Sequence, residues 1–99
     1  MIKLNDENLS SLISEGLHLI DFYANWCGPC KMIEPILKQL DNEINIIQVD
    51  VDKHPALARE FKVMSIPALF FVKDGVILKQ KVGFQTLDVL KEDINSLKN

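Results

Sequence analysis

The sequence predicts an α/β domain in which a five-stranded mixed sheet is flanked by four helices, a βαβ unit followed by a ββα unit. Three observations carry this. Two short, nearly continuous apolar runs, 17–24 and 46–51, bracket a longer segment with helical apolar spacing, the pattern of parallel strands joined by a right-handed crossover helix. Two further apolar runs, 68–72 and 76–82, flank Lys73-Asp74-Gly75, and Asp-Gly between apolar runs marks an antiparallel hairpin. A last segment from about Thr86 returns to helical spacing. The chain has 99 residues, 47% apolar and 25% charged, with no repeat or linker-like tract, so one domain is expected over 1–99.

Each element has a local reason. Residues 1–4, short and apolar, could be an edge strand. Asn5 or Asp6 can cap a first helix whose Leu9, Leu12 and Ile13 fall at i, i+3 and i+4, and Gly16 suits the left-handed residue that ends it. The run 17–24 is too short for a core helix and apolar enough for a strand covered on both faces, with Asp21 in its middle. From Cys27 the apolar stripe Ile33, Ile36, Leu37, Leu40 and Ile44 has helical period. Pro35 lies inside it and removes one backbone donor, so a kink rather than a break is expected. Pro55 suits the first turn of a short helix carrying Leu57, Ala58 and Phe61. In the second hairpin strand Val76, Leu78 and Val82 are expected on one face, with Lys79 and Lys81 on the other guarding an exposed edge. Leu87, Leu90, Ile94 and Leu97 give the last helix its apolar side.

Composition narrows the function. Eleven Lys+Arg against 14 Asp+Glu give a formal charge of −3, without a basic block, so nucleic acid and anionic membrane surfaces are not expected partners. No stretch approaches the roughly 20 apolar residues of a membrane span, and the polar turn after Met1-Ile2-Lys3-Leu4 leaves no apolar signal core. A cytoplasmic domain is expected, in a compartment that normally keeps thiols reduced. Two cysteines, too few for a stapled mini-fold, then need a chemical reason.

Trp26-Cys27-Gly28-Pro29-Cys30-Lys31 supplies one, because it lies where a strand ends and a helix begins. Unpaired N–H groups and the macrodipole put about half a positive charge at a helix start, which stabilises a thiolate at Cys27. Cys30, one turn deeper, is expected to be more shielded and to stay a thiol. Two intervening residues let the sulfurs meet in a small ring. Cys27 can therefore attack a client disulfide, after which Cys30 attacks Cys27 and releases the client as a dithiol. Gly28 and Pro29 bring no charge or imidazole, so the thiolate is not overstabilised and the reduced form remains a good donor. The competing reading is half a zinc site; a structural zinc takes four ligands, and only His18 and His54 remain as candidates, 36 residues apart.

Three segments in order, Asp21-Phe22-Tyr23-Ala24-Asn25-Trp26-Cys27-Gly28-Pro29-Cys30-Lys31, Val63-Met64-Ser65-Ile66-Pro67 and Val82-Gly83-Phe84, resemble the signatures of the thioredoxin family across essentially the whole chain. The resemblance implies the thioredoxin fold and a general protein-disulfide reductase. It also implies a reductase partner, thioredoxin reductase, drawing electrons from NADPH through its flavin. Disulfide-containing client proteins are the other partners; the chain itself is expected to bind no cofactor or metal and to be a monomer. A dedicated reductant or isomerase with one client, and a redox-silent or zinc-binding interaction module, are the alternatives.

The supporting residues have paired readings. Asp21 could be an incidental strand carboxylate, but Ile20 and Phe22 flank it in a covered strand, so desolvation raises its pKa. The resemblance gives it a proton-exchange role with the buried cysteine through water. Where many bacterial relatives carry a Lys beside that Asp, the best-aligned position here is Gln48, whose neutral amide stabilises a carboxylate less. Pro67 could simply open a strand; the resemblance makes the Ile66-Pro67 bond cis and places it against the cysteines. Trp26, Ile66, Val82 and Gly83 can form a shallow apolar groove for extended client segments, or be core residues. Lys31 adds positive potential. Tyr23 and Ala68 stand where a Trp and a Thr are common, changes that bear on specificity rather than chemistry. His18 is read as a strand-entry residue and His54 as a turn or cap residue.

Overall fold

The computed structural model describes residues 1–98, in the order β1 (Ile2–Lys3), α1 (Leu9–Leu12), β2 (Leu17–Tyr23), α2 (Gly28–Leu40), β3 (Asn45–Asp50), α3 (Pro55–Glu60), β4 (Ala68–Lys73), β5 (Val76–Val82) and α4 (Leu87–Lys98). The strands form one sheet in the order β1-β3-β2-β4-β5. The first three are parallel to one another, while β4 runs antiparallel to β2 and β5 antiparallel to β4. This is the five-stranded mixed sheet with four helices that the sequence predicts.

Strand alternation divides the interior into two layers. Ile20 and Phe22 of β2 join Ile47, Val49, Phe70 and Val72 beneath α1 and α3, with the rings of Phe22, Phe61 and Phe70 in mutual contact at centroid distances of 5.2–5.5 Å. Leu19 of the same strand points the opposite way, joining Ile46, Leu69 and Phe71 against Ile33 and Leu37 of α2 and Leu90 and Ile94 of α4. Two residues further along, Asp21 shares the Leu19 side, which places a carboxylate under α2.

Local chemistry departs from the sequence reading at four places. The cap of α1 is Asn8, whose Oδ1 accepts the Ser11 N–H at 3.1 Å, rather than Asn5 or Asp6, because the helix starts only at Leu9. Gly16 does adopt positive φ (+84°), but it lies beyond the helix, linked to the hairpin through Asp74. The helix α2 continues through Pro35 and ends at Leu40; Ile44 is buried from the following turn, where its N–H bonds the Leu40 carbonyl.

The fourth departure is in β5. The hairpin turn is as expected, with Asp74 and Gly75 both at positive φ (+50° and +81°). The register then shifts, because Val72 pairs Ile77 while Phe71 pairs Lys79, leaving Leu78 as a bulged residue. Val76 and Val82 therefore sit on opposite faces, not one. Lys79 and Lys81 do share a face, and they turn toward α4, where the Lys79 Nζ lies 2.7 Å from Asp93 Oδ1 and the Lys81 Nζ 3.5 Å from Oδ2.

Candidate active site

The loop between β2 and α2 carries Trp26 and Cys27. Cys27 is the N-cap of α2 in extended conformation (φ −87°, ψ 111°), and its Sγ accepts the Cys30 N–H at 3.2 Å, so the sulfur itself satisfies one of the helix's unpaired donors. Gly28 and Pro29 occupy the first turn, where proline loses no helical hydrogen bond. Cys27 and Cys30 are joined as a disulfide, with their Cα atoms 5.2 Å apart. In this oxidised form the two cysteines are 4% and 5% exposed, so the expected difference in shielding is absent. What separates them is their surroundings.

Cys27 faces the loop that carries Ile66 and Pro67. Its Sγ lies 3.8 Å from the Ile66 carbonyl oxygen, and the Ile66-Pro67 peptide bond is cis. The Pro67 carbonyl accepts the Gly83 N–H at 2.7 Å, and Gly83 holds φ +86°, a conformation that explains the glycine. Trp26 is 70% exposed, with its indole Nε1 donating to Asp52 Oδ2 at 2.9 Å. Trp26 and Ile66 share a shallow depression of about 200 Å³ with Val51, Ala58, Val63 and Met64. Val82 and Gly83 do not line it; Val82 pairs with Ala68 and Gly83 bonds Pro67. Met64, 94% exposed, is a residue that strand and helix periodicity passes over, because it lies in a loop and its place in the second sequence signature is the only clue to it.

Cys30 faces the interior. It lines a cleft of about 110 Å³ with Lys3, Asp21, Tyr23, Lys31, Glu34 and Gln48, among others. Asp21 is 1% exposed, and burial pushes its carboxyl up to about 6, opposed by the hydrogen bond from Gln48 and reinforced by the nearby Glu34 charge. Gln48 stands directly across from Asp21 in the β2/β3 register, and its Nε2 donates to Asp21 Oδ2 at 3.2 Å. Tyr23 is also pushed up, first by burial and then by Asp50, Asp21 and Glu34, while the Lys3 ammonium lies 5.8 Å from its ring centre. The histidines stand apart from this cleft: the His18 Nε2 is 2.9 Å from the Glu15 carbonyl oxygen, and His54, at the N-cap of α3, is 3.1 Å from that of Leu4.

A strand-to-helix junction with a disulfide-bonded cysteine pair, a cis proline opposite it and a buried carboxyl behind it can, once reduced, exchange electrons with another disulfide. Among the described residues no helix is long and apolar enough to cross a membrane. The family model for thioredoxin matches residues 1–96. The thioredoxin of Staphylococcus saprophyticus is 46% identical over 98 residues, covering 95% of this chain and 94% of that protein. The thioredoxin of Bacillus subtilis is 43% identical over 99 residues, covering 96% and 95%. Among solved structures, a mutant thioredoxin from Halobacterium salinarum superposes with a TM-score of 0.90 at 35% identity, covering 96% of this chain and 88% of that one. Oxidised mitochondrial thioredoxin 3 from Saccharomyces cerevisiae gives 0.84 at 34% identity, covering 97% and 94%.

Proposed function

The chain belongs to the thioredoxin family and is a thiol–disulfide oxidoreductase; from that premise we propose that it serves as a general protein-disulfide reductase in the cytoplasm, recharged by a thioredoxin reductase. The observation that carries this reading is the Cys27–Cys30 disulfide at the start of α2, open toward the Ile66 carbonyl on one side and the Asp21 cleft on the other. Cys27 is the nucleophile: as a thiolate at the helix N-terminus it attacks a client disulfide, forming a mixed disulfide and expelling one client thiolate. Cys30 is the resolving residue. Its thiol gives a proton to the Asp21 carboxylate and attacks Cys27 Sγ; the internal disulfide forms, the bond to the client breaks, and two electrons have passed to the client.

The protein around the sulfurs does the positioning. The Ile66 carbonyl offers an acceptor to an extended client backbone, since among the described residues no backbone N–H bonds it, and the Trp26, Ile66 and Met64 surface adds apolar contact. Such contacts suit many clients, which favours a general reductase over a dedicated one. Insulin-disulfide reduction with dithiothreitol tests the assignment. Cys27→Ser is expected to reduce turnover to background, and Cys30→Ser to accumulate covalent client adducts visible by mass spectrometry. Full activity in Cys27→Ser would refute the mechanism.

A further inference from the structure

Gln48 is a polar side chain that the packing of β3 does not explain. It is 2% exposed, between Ile47 and Val49 on a strand of nearly unbroken burial, and its Oε1 has no hydrogen-bond partner among the described residues. An apolar residue would fill such a position without leaving a buried acceptor unpaired. The polar contact its side chain does make is the Nε2–H donated to Asp21 Oδ2. The orientation follows from chemistry, because turning Oε1 toward a carboxylate would set two acceptors against each other.

That contact makes the two carboxyl oxygens unequal. Oδ2 is occupied by the amide donor, whereas Oδ1 is buried with no hydrogen-bond partner among the described residues. An amide N–H bonds a carboxylate oxygen and, more weakly, the carbonyl oxygen of a neutral carboxylic acid, so the Gln48 bond survives when Asp21 changes charge while favouring the charged form. Each carboxylate oxygen has two acceptor sites, and the Gln48 bond takes one of those on Oδ2 while both on Oδ1 are uncommitted, so an arriving proton is favoured at Oδ1. We propose that Gln48 is a positioning residue for the resolving step: it holds Asp21 Oδ2 through both protonation states and thereby directs the transferred proton to Oδ1, in the cleft that Asp21 shares with Cys30.

The proposal rests on the reading of Asp21 as the proton acceptor for Cys30. In the step itself the Cys30 S–H bond breaks and its proton goes to Oδ1. The Cys30–Cys27 bond forms, the Cys27–client bond breaks, and the client sulfur leaves as a thiolate that takes a proton from solvent. Gln48 neither gains nor loses a proton. The other charged or titratable groups facing this cleft are Lys3 from β1, Tyr23 from β2, and Lys31 and Glu34 from α2, with Asp50 acting on Tyr23. All remain in place in a Gln48 variant, so a change in pH profile reports on the Gln48 to Asp21 contact.

The test follows decay of a preformed Cys27–client mixed disulfide by stopped flow across pH, in the wild type and in Gln48→Met, Gln48→Lys and Asp21→Asn, each checked for folding by circular dichroism. Gln48→Met keeps the length but removes the donor; its acid limb is expected to move up by about one pH unit, with resolution slowed about two-fold at pH 7. Gln48→Lys restores a donor and adds a charge, so its limb is expected below that of the wild type; it also carries the test if the Met variant does not fold. A Met variant that is slower at every pH with no displaced limb would show a merely structural role and overturn the proposal, as would unchanged profiles in both Gln48 variants. If those negative results accompany slow resolution in Asp21→Asn, the Asp21 role stands and only the Gln48 role falls. If Asp21→Asn itself resolves at the wild-type rate, the acceptor assignment and the Gln48 proposal fall together.

Discussion

The carboxyl of Asp21 is buried at the middle of the sheet, and its titration has a consequence for stability with a definite sign. In the folded, oxidised protein it titrates at about 6, against an ordinary value of 3.8. Below the ordinary value the group is neutral in both folded and unfolded chains, and burial carries no charge penalty. As pH rises toward 6 the unfolded chain ionises first, so stability is lost until the folded group has also ionised, by roughly 3 kcal/mol in all. Asp21→Asn removes that loss. Urea unfolding of the oxidised variant is expected to show a gain of about 2–3 kcal/mol over wild type at pH 8, shrinking toward zero near pH 4. A gain independent of pH would place the effect in packing instead of ionisation. The burial of Asp21 is legible in the sequence because Ile20 and Phe22 flank it in an apolar run. Its bond to Gln48 is only partly legible, since register between strands is set by pairing and not by local pattern.

The helix α2 and the strand β5 show how one local contact governs an element. At the start of α2 the Cys27 Sγ is both reactive atom and cap, accepting the Cys30 N–H. A serine oxygen can take over that acceptor role, and a methyl group cannot. Under reducing conditions Cys27→Ala is therefore expected to be about 1 kcal/mol less stable than Cys27→Ser, although both lose turnover. Equal unfolding midpoints and slopes would show that the cap contributes nothing. At the other edge, Asp93 is buried between α4 and β5 and neutralises both Lys79 and Lys81. Asp93→Asn leaves two half-buried ammonium groups without a counter-charge and is expected to lower stability by about 1–3 kcal/mol, between surface and buried pairs. Reductase activity per folded molecule should not change, because neither lysine lines the cleft or the Trp26 depression. The Leu78 bulge that brings the lysines to this side leaves no mark in the alternation of the sequence, where Val76, Leu78 and Val82 read as one face.

At the scale of the molecule, strand order and helix placement follow from features that sequence carries well: run length, apolar period, and the Asp-Gly turn. The cap at Asn8, the end of α2 before Ile44 and the composition of the depression beside Trp26 depend on where loops settle, which periodicity does not encode. Net charge is another whole-chain property that says less than it promises. The −3 charge is spread over a body of about 33 × 29 × 21 Å, whereas the surface around the sulfurs presents Trp26, Ile66 and Met64. If docking is driven by that apolar rim, long-range attraction contributes little and screening it changes little. Raising salt from about 50 to about 500 mM shortens the Debye length roughly three-fold, yet kcat/KM for an unrelated disulfide client is expected to change by less than about three-fold. Met64→Asp adds desolvation cost at the rim itself and is expected to lower kcat/KM several-fold at either salt concentration, leaving the Asp21 titration in place. A steep salt dependence together with an unaffected Met64→Asp would locate client recognition in charge and not in the apolar surface beside Cys27.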